Sequence, residues 1–178
     1  MLISILLAIP AVQTKLGKLA TNILNEDYNT NITVHKVKLS LFGDVDLKEI
    51  EILDHHLDSM IFVEKLTTSI FSYRNILKNK FEFSDIELEG VKFLIRTHKG
   101  EDRDAFVQFI ESFDEEKSDS IPSDFLLTAD SVILEDFNLK IYDENKLDDV
   151  PVTFRNVKGP IENFKIDGPN FNGDIRGL

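Results

Sequence analysis

Asp85-Ile86-Glu87-Leu88-Glu89-Gly90-Val91-Lys92-Phe93-Leu94-Ile95 is the stretch whose reading decides the fold. Apolar residues stand at 86 and 88, then at 91, 93 and 95, with Glu87 and Lys92 between them. A period of two marks a strand with one dry face and one wet face. The two central residues, Glu89-Gly90, break that period. Strict alternation would flip the apolar residues to the other face, unless an extra residue is absorbed in a β-bulge that bends the strand.

The same template recurs along the chain. It fits Ile32, Val34, Val37 and Leu39 around His35-Lys36, and Val45, Leu47, Ile50 and Ile52 around Lys48-Glu49. It fits Ile61, Val63 and Leu66 around Glu64-Lys65, with Thr68 in the last place. It fits Val132, Leu134, Phe137 and Leu139, extended by Ile141, around Glu135-Asp136. A weaker copy has Gly159, Ile161, Phe164 and Ile166 around Glu162-Asn163. A two-residue hairpin at each centre is the rival reading. It fails because His-Lys, Lys-Glu and Glu-Asp are poor formers of the left-handed turn and the arms would be very short. The copies therefore predict bulged strands whose apolar residues share one face, and aligned bulges would curve the sheet. The polar residues between them, Thr33, Lys38, Asp46, Glu51, Glu87, Lys92, Asn138 and Lys165, predict one wet face and an antiparallel sheet. Phe42-Gly43-Asp44 and residues 54–58 read as tight turns, and residues 72–80 as a longer polar link. Gly168-Pro169 reads as a turn.

Two helical patterns interrupt the strands. Val12, Leu16, Leu19, Ala20, Ile23 and Leu24 recur at helical spacing, opposite Gln13, Lys15, Lys18 and Asn22. Residues 12–27 are thus predicted as an amphipathic helix, ended by Asn and Asp turn formers. A second short helix is predicted from Asp104 to Phe113, with Phe106, Phe109, Ile110 and Phe113 on one face. It opens a helical and loop insertion near residues 103–124. Before the first helix, Leu2, Ile3, Ile5, Leu6, Leu7 and Ile9 form an apolar run broken at Pro10. A bilayer span takes about 20 apolar residues, so residues 1–11 read as the end of a membrane anchor, against the rival of a buried element.

Composition narrows the function. The net charge of -12 argues against a nucleic-acid binder and against broad docking on an anionic membrane. The chain has no cysteine, so no disulfide, thiolate metal site or thiol nucleophile exists. Fourteen Phe and no Trp supply apolar area without polar atoms, which suits a dry core or an acyl-chain surface. No nucleophile elbow, P-loop or dinucleotide fingerprint is present, and no carboxylate pair stands apart from the acidic surface. The expectation is a non-enzyme without catalytic, cofactor or metal residues. His55-His56 lies beside Asp54 and Asp58, but adjacent histidines are expected to point apart, so a solvated turn is preferred there to a metal site.

Three stretches carry a resemblance. Ile9-Pro10-Ala11-Val12-Gln13-Thr14-Lys15-Leu16, with Ala20-Thr21-Asn22 and Asn31-Ile32-Thr33-Val34, resembles the start of TamB-like proteins of the Bacteroidetes type. So do Leu41-Phe42-Gly43-Asp44-Val45-Asp46-Leu47 with Ile50-Glu51-Ile52-Leu53-Asp54, and Asp85 to Val91 with Thr97-His98-Lys99-Gly100. That family belongs with the AsmA-like bridge proteins. The resemblance implies a mostly β, curved, taco-like groove over residues 32–178, a single-pass inner-membrane anchor and a periplasmic body. It implies phospholipid transfer toward the outer membrane, or alternatively a scaffold for outer-membrane protein assembly or secretion with a BamA-like barrel partner. Family members are far longer, so this chain is expected to represent their N-terminal portion. The apolar strand residues Leu47, Ile50, Ile52, Leu88, Val91, Phe93, Leu134, Phe137, Leu139 and Ile141 are the expected lipid contacts, and phospholipid is the expected cargo.

Overall fold

The structure is a computed structural model that describes residues 21–22, 24–40, 44–70, 80–113, 126–146, 150–167 and 170–175. Seven strands form one open sheet in chain order: β1 (Asn31–Leu39), β2 (Asp44–Leu53), β3 (Ser59–Ile70), β4 (Lys80–Thr97), β5 (Leu126–Asp143), β6 (Val152–Asp167) and β7 (Asn170–Ile175). The mostly β reading holds. Each copy of the template lies within one strand, so the hairpin reading falls away. A seventh strand, β7, goes beyond the six copies of the sequence pattern.

One neighbouring pair departs from the antiparallel expectation. β4 and β5 run parallel, from Lys80↔Leu126 to Thr97↔Asp143, while the other five pairings are antiparallel. Parallel neighbours need a crossover of a dozen or more residues, and residues 98–125 supply it. The crossover contains the short helix α2 (Ala105–Glu111). The insertion is therefore the element that reverses the strand sense.

The breaks at the template centres are in step with one another. Across β1 and β2 the register is the same on both sides of the break, with Val34↔Ile50 and Lys36↔Lys48. The same holds across β2 and β3, β3 and β4, and β4 and β5, where the pairing skips Glu49, Glu64, Gly90 and Asp136. A one-strand bulge would shift the register; here the skipped residues face one another at the same level, so neighbours stay aligned. Left-handed backbone takes up the break at Glu49 (φ 52°), Gly90 (66°), Asp136 (53°) and Asn163 (54°). Register shifts occur elsewhere: between Ile52 and Leu53, between Thr68 and Ile70, near Phe137, and between Glu162 and Lys165.

The breaks keep the apolar residues on one face. Ile50, Val63 and Val91, which follow the break, pack in one cluster with Leu47, Leu66 and Leu88, which precede it. A second cluster joins Ile86, Ala129, Val132 and Leu134 to Phe83, Phe137, Ile161 and Phe164. Thr68 fills an apolar place of the template and is buried; its hydroxyl donates to the Asp85 carbonyl at 2.8 Å. Glu87, Lys92, Thr33 and Lys38 on the opposite face are exposed.

Two helical pieces lie over part of the apolar face. Residues 24–28 are helical and are called α1. Leu24 and Tyr28 of α1 join Phe109 and Phe113 over Phe81, Leu127 and Ile166 of the sheet. Asn25 binds Ile32 as a strand neighbour would, accepting from its N–H at 2.8 Å and donating to its carbonyl at 2.9 Å, which fixes where α1 hands over to β1. In α2 the Asp104 carboxylate caps the first turn, accepting from the Val107 N–H at 2.9 Å. Phe106 then sets its ring against Phe93 at 4.9 Å.

The anchor reading of residues 1–11, the earlier part of the amphipathic helix, the turn at Phe42-Gly43, the link after β3, the loop before β5 and the Gly168-Pro169 turn lie outside the described residues. Among the described residues no helix is long and apolar enough to cross a membrane.

Candidate functional site

Two regions of the fold carry chemistry beyond packing: the apolar face of the sheet and a corner of three histidines. The apolar face gathers most of the residues expected to touch lipid. Leu47, Ile50, Leu88, Val91 and Phe137 share one cluster, and Leu134 joins Leu88 and Phe137 in the next. Ile50, Val91 and Leu134 are buried by their neighbours. Leu47, Ile52, Leu88, Phe93, Phe137 and Leu139 are half-buried. Phe93 is shared between the rings of Phe106 and Phe137.

Exposure concentrates where β5 meets β6. Ile141 pairs with Val152, and Leu139 with Phe154. Residues directly opposite in an antiparallel pair point to the same face, so Val152 and Phe154 extend the apolar face. They are 52% and 51% exposed, and Ile141 is 36% exposed. Val152, Phe154 and Val157 around Arg155-Asn156 follow the same template, ahead of the copy that begins at Gly159, and Asn156 takes positive φ at that break. β7 pairs only with residues 161–167 of β6. Among the described residues, the first half of β6 therefore has β5 as its single strand neighbour. An apolar row thus ends beside an unpaired sheet edge.

The histidine corner sits at the end of the sheet where β2 turns into β3. The Asp54 carboxylate organises the turn: one oxygen accepts from the His56 and Asp58 N–H groups at 2.9 and 3.0 Å. Its other oxygen accepts from His98 Nε2 at 2.8 Å, and both residues are buried. Burial pushes the Asp54 carboxyl up, but the hydrogen bonds from His98 and from the two backbone N–H groups outweigh it, and the net shift is downward. Leu57 takes φ 66° to close the turn. Arg96 of β4 pairs with Asp58 and ties the turn to the neighbouring strand.

This turn geometry corrects the expectation that His55 and His56 point apart. The His55 Nε2 is 2.9 Å from one Glu101 oxygen and 3.0 Å from the other, and the His56 Nε2 is 2.7 Å from the first. Gln108 of α2 donates to Glu101 at 2.7 Å. Bonds from His55, His56 and Gln108 pull the Glu101 carboxyl down to about 2. The Glu101 carboxylate in turn raises His56. The His98 ring lies 4.0 Å from that of His56.

No family model matches the chain, and no curated protein matches it.

Proposed function

We propose that this protein is a non-enzymatic lipid-transfer element, whose sheet curves into an apolar groove for the acyl chains of phospholipid. Its apolar N-terminal run would anchor it in the inner membrane, with the sheet in the periplasm. One observation carries the reading. The apolar face runs across the strands and stays exposed at Ile141, Val152 and Phe154, beside an edge with no further strand partner among the described residues. Burying an apolar side chain of this size is worth about 1.5–3 kcal/mol, so three half-exposed ones favour an apolar occupant by several kcal/mol. The charge of -12 disfavours anionic headgroups and leaves the acyl chain as the part to be held. The resemblance to TamB-like proteins points the same way.

The open first half of β6 favours a second reading. A sheet edge can accept a strand from another chain. In a scaffold for outer-membrane protein assembly or secretion, a BamA-like barrel partner would dock by this route.

Crosslinking separates the two. A photoreactive phospholipid should label the protein near Phe154. Phe154→Lys and Ile141→Lys should reduce labelling several-fold with the circular dichroism spectrum preserved, since both side chains are exposed. Unchanged labelling in both folded variants would rule out the groove. Val91 is the poorer probe, because at 3% exposure a charge there attacks the core itself.

A further inference from the structure

The histidine corner does not share residues with the apolar face. Three side chains from two distant segments bring their donor atoms together: His55 and His56 from the β2–β3 turn, and Glu101 from the crossover. Their ligand atoms all lie within 4.8 Å of one another. We propose that His55, His56 and Glu101 form a binding site for a single zinc-class divalent cation, with its fourth position open to solvent.

The donor chemistry supports this class of ion. Two imidazole nitrogens and a carboxylate oxygen suit zinc and its first-row neighbours, and the three-ligand set leaves one position for water. Zinc bonds to such ligands at about 2.0–2.2 Å, which places tetrahedral donors roughly 3.3 Å apart. The nitrogen–oxygen separations of 2.7 to 3.0 Å are somewhat shorter. They open to that spacing by small rotations of side chains that are 27% to 49% exposed. For a cation to bind each Nε2, any hydrogen there moves to Nδ1 or leaves to solvent, and the cation takes its place against the carboxylate.

The surroundings hold the ligands in place. Gln108 fixes one Glu101 oxygen, while the Glu101 N–H donates to the His98 carbonyl at 3.0 Å. The Asn145 amide donates to the Glu101 carbonyl at 2.9 Å, so the end of β5 also supports the loop. On the other side, Asp54 fixes the backbone of the histidine turn, and the His98 ring packs on His56. Outer contacts of this kind orient ligands and tune metal affinity. Asp54, Asp58 and His98 form a second group of donors. That group is already committed: His98 Nε2 and Asp54 bind each other, and Asp58 pairs with Arg96. The cation would clamp the β2–β3 turn to the crossover that leads into α2.

The test uses the full chain, stripped with a chelator and returned to chelator-free buffer near neutral pH. Calorimetric titration with Zn2+ alone should show one ion per chain. His55→Ala, His56→Ala and Glu101→Gln should each weaken binding at least tenfold, and Gln108→Ala by less. His35→Ala, on β1 and away from the corner, should leave affinity unchanged. Where a variant fails to fold, the wild-type chain answers by histidine modification with diethyl pyrocarbonate, read by mass spectrometry. Zn2+ should protect His55 and His56 and leave His35 reactive. No saturable binding at millimolar Zn2+, equal affinity in a folded His55→Ala/His56→Ala variant, or equal modification with and without Zn2+ would each overturn the site. None of these outcomes bears on the lipid reading, because the two regions share no residue.

Discussion

Gly90→Ala probes the row of aligned breaks that keeps the sheet greasy on one face. Gly90 has φ 66°, and a Cβ added there would lie 2.8 Å from the Glu64 Cβ and 2.8 Å from its carboxylate. The carboxylate can swing away. The Cβ cannot, because it is fixed to the backbone of β3. A left-handed conformation costs a residue with a Cβ roughly 1–2 kcal/mol. The forced contact adds about 1–3 kcal/mol, the usual range for overpacking. The expected destabilisation is thus about 2–5 kcal/mol, or some 4–20 °C in Tm for a chain of this size. Thermal and urea unfolding followed by circular dichroism measure it. Adding Glu64→Gly removes the Cβ contact and should recover the second term, giving a coupling of about 1 kcal/mol or more in the double-mutant cycle. Asp136 stands at the same level with φ 53°, and Asp136→Gly should stay within about 1 kcal/mol of wild type because strain relief offsets the lost rigidity of the chain. Wild-type stability in Gly90→Ala would refute the reasoning.

Other expectations follow from single contacts. Thr68→Val removes the hydroxyl bond to the Asp85 carbonyl and should cost about 1–2 kcal/mol in urea unfolding despite the apolar place it occupies. Asp104→Ala removes the cap of α2 and should cost about 1 kcal/mol, read as faster amide exchange in residues 105–111. The Asp54 carboxyl titrates below its ordinary value in the folded state. Its contribution to stability is therefore complete above the unfolded value of about 3.9 and is lost as the pH falls through the lower folded value. Urea midpoints should fall over that acid range, and the fall should flatten in Asp54→Asn.

The legible part of the fold was local. Alternation around His35-Lys36, Lys48-Glu49 and Glu89-Gly90 placed strands and faces, since the period of side chains along a strand is visible in sequence. It also placed Thr68 on the dry face. Asp104 ahead of Phe106 and Phe109 located α2 to within two residues. The parallel pairing of β4 and β5 was not visible in alternation, which looks the same for either strand sense. The available signal was length: residues 98–125 are far too many for a hairpin and enough for a crossover. The breaks suggest one-strand bulges, yet at the template centres of β1 to β5 the register is unchanged on either side, because neighbouring strands break at one level. β7 was missed because Asn170, Asn172, Gly173 and Asp174 weaken the strand signal. The histidine corner was hidden for a different reason. Glu101 stands 45 residues from His56, and the turn that turns both imidazoles toward it is set by Asp54. Adjacent histidines carry no mark of a carboxylate so distant in the chain.

The lipid reading faces its most direct test in native mass spectrometry of the full chain, purified in a mild detergent and then freed of it. The account predicts phospholipid bound at about one molecule or more per chain, with less retained by the folded Phe154→Lys variant. A lipid-free spectrum for the folded wild-type chain, unchanged after incubation with phospholipid vesicles, would contradict it.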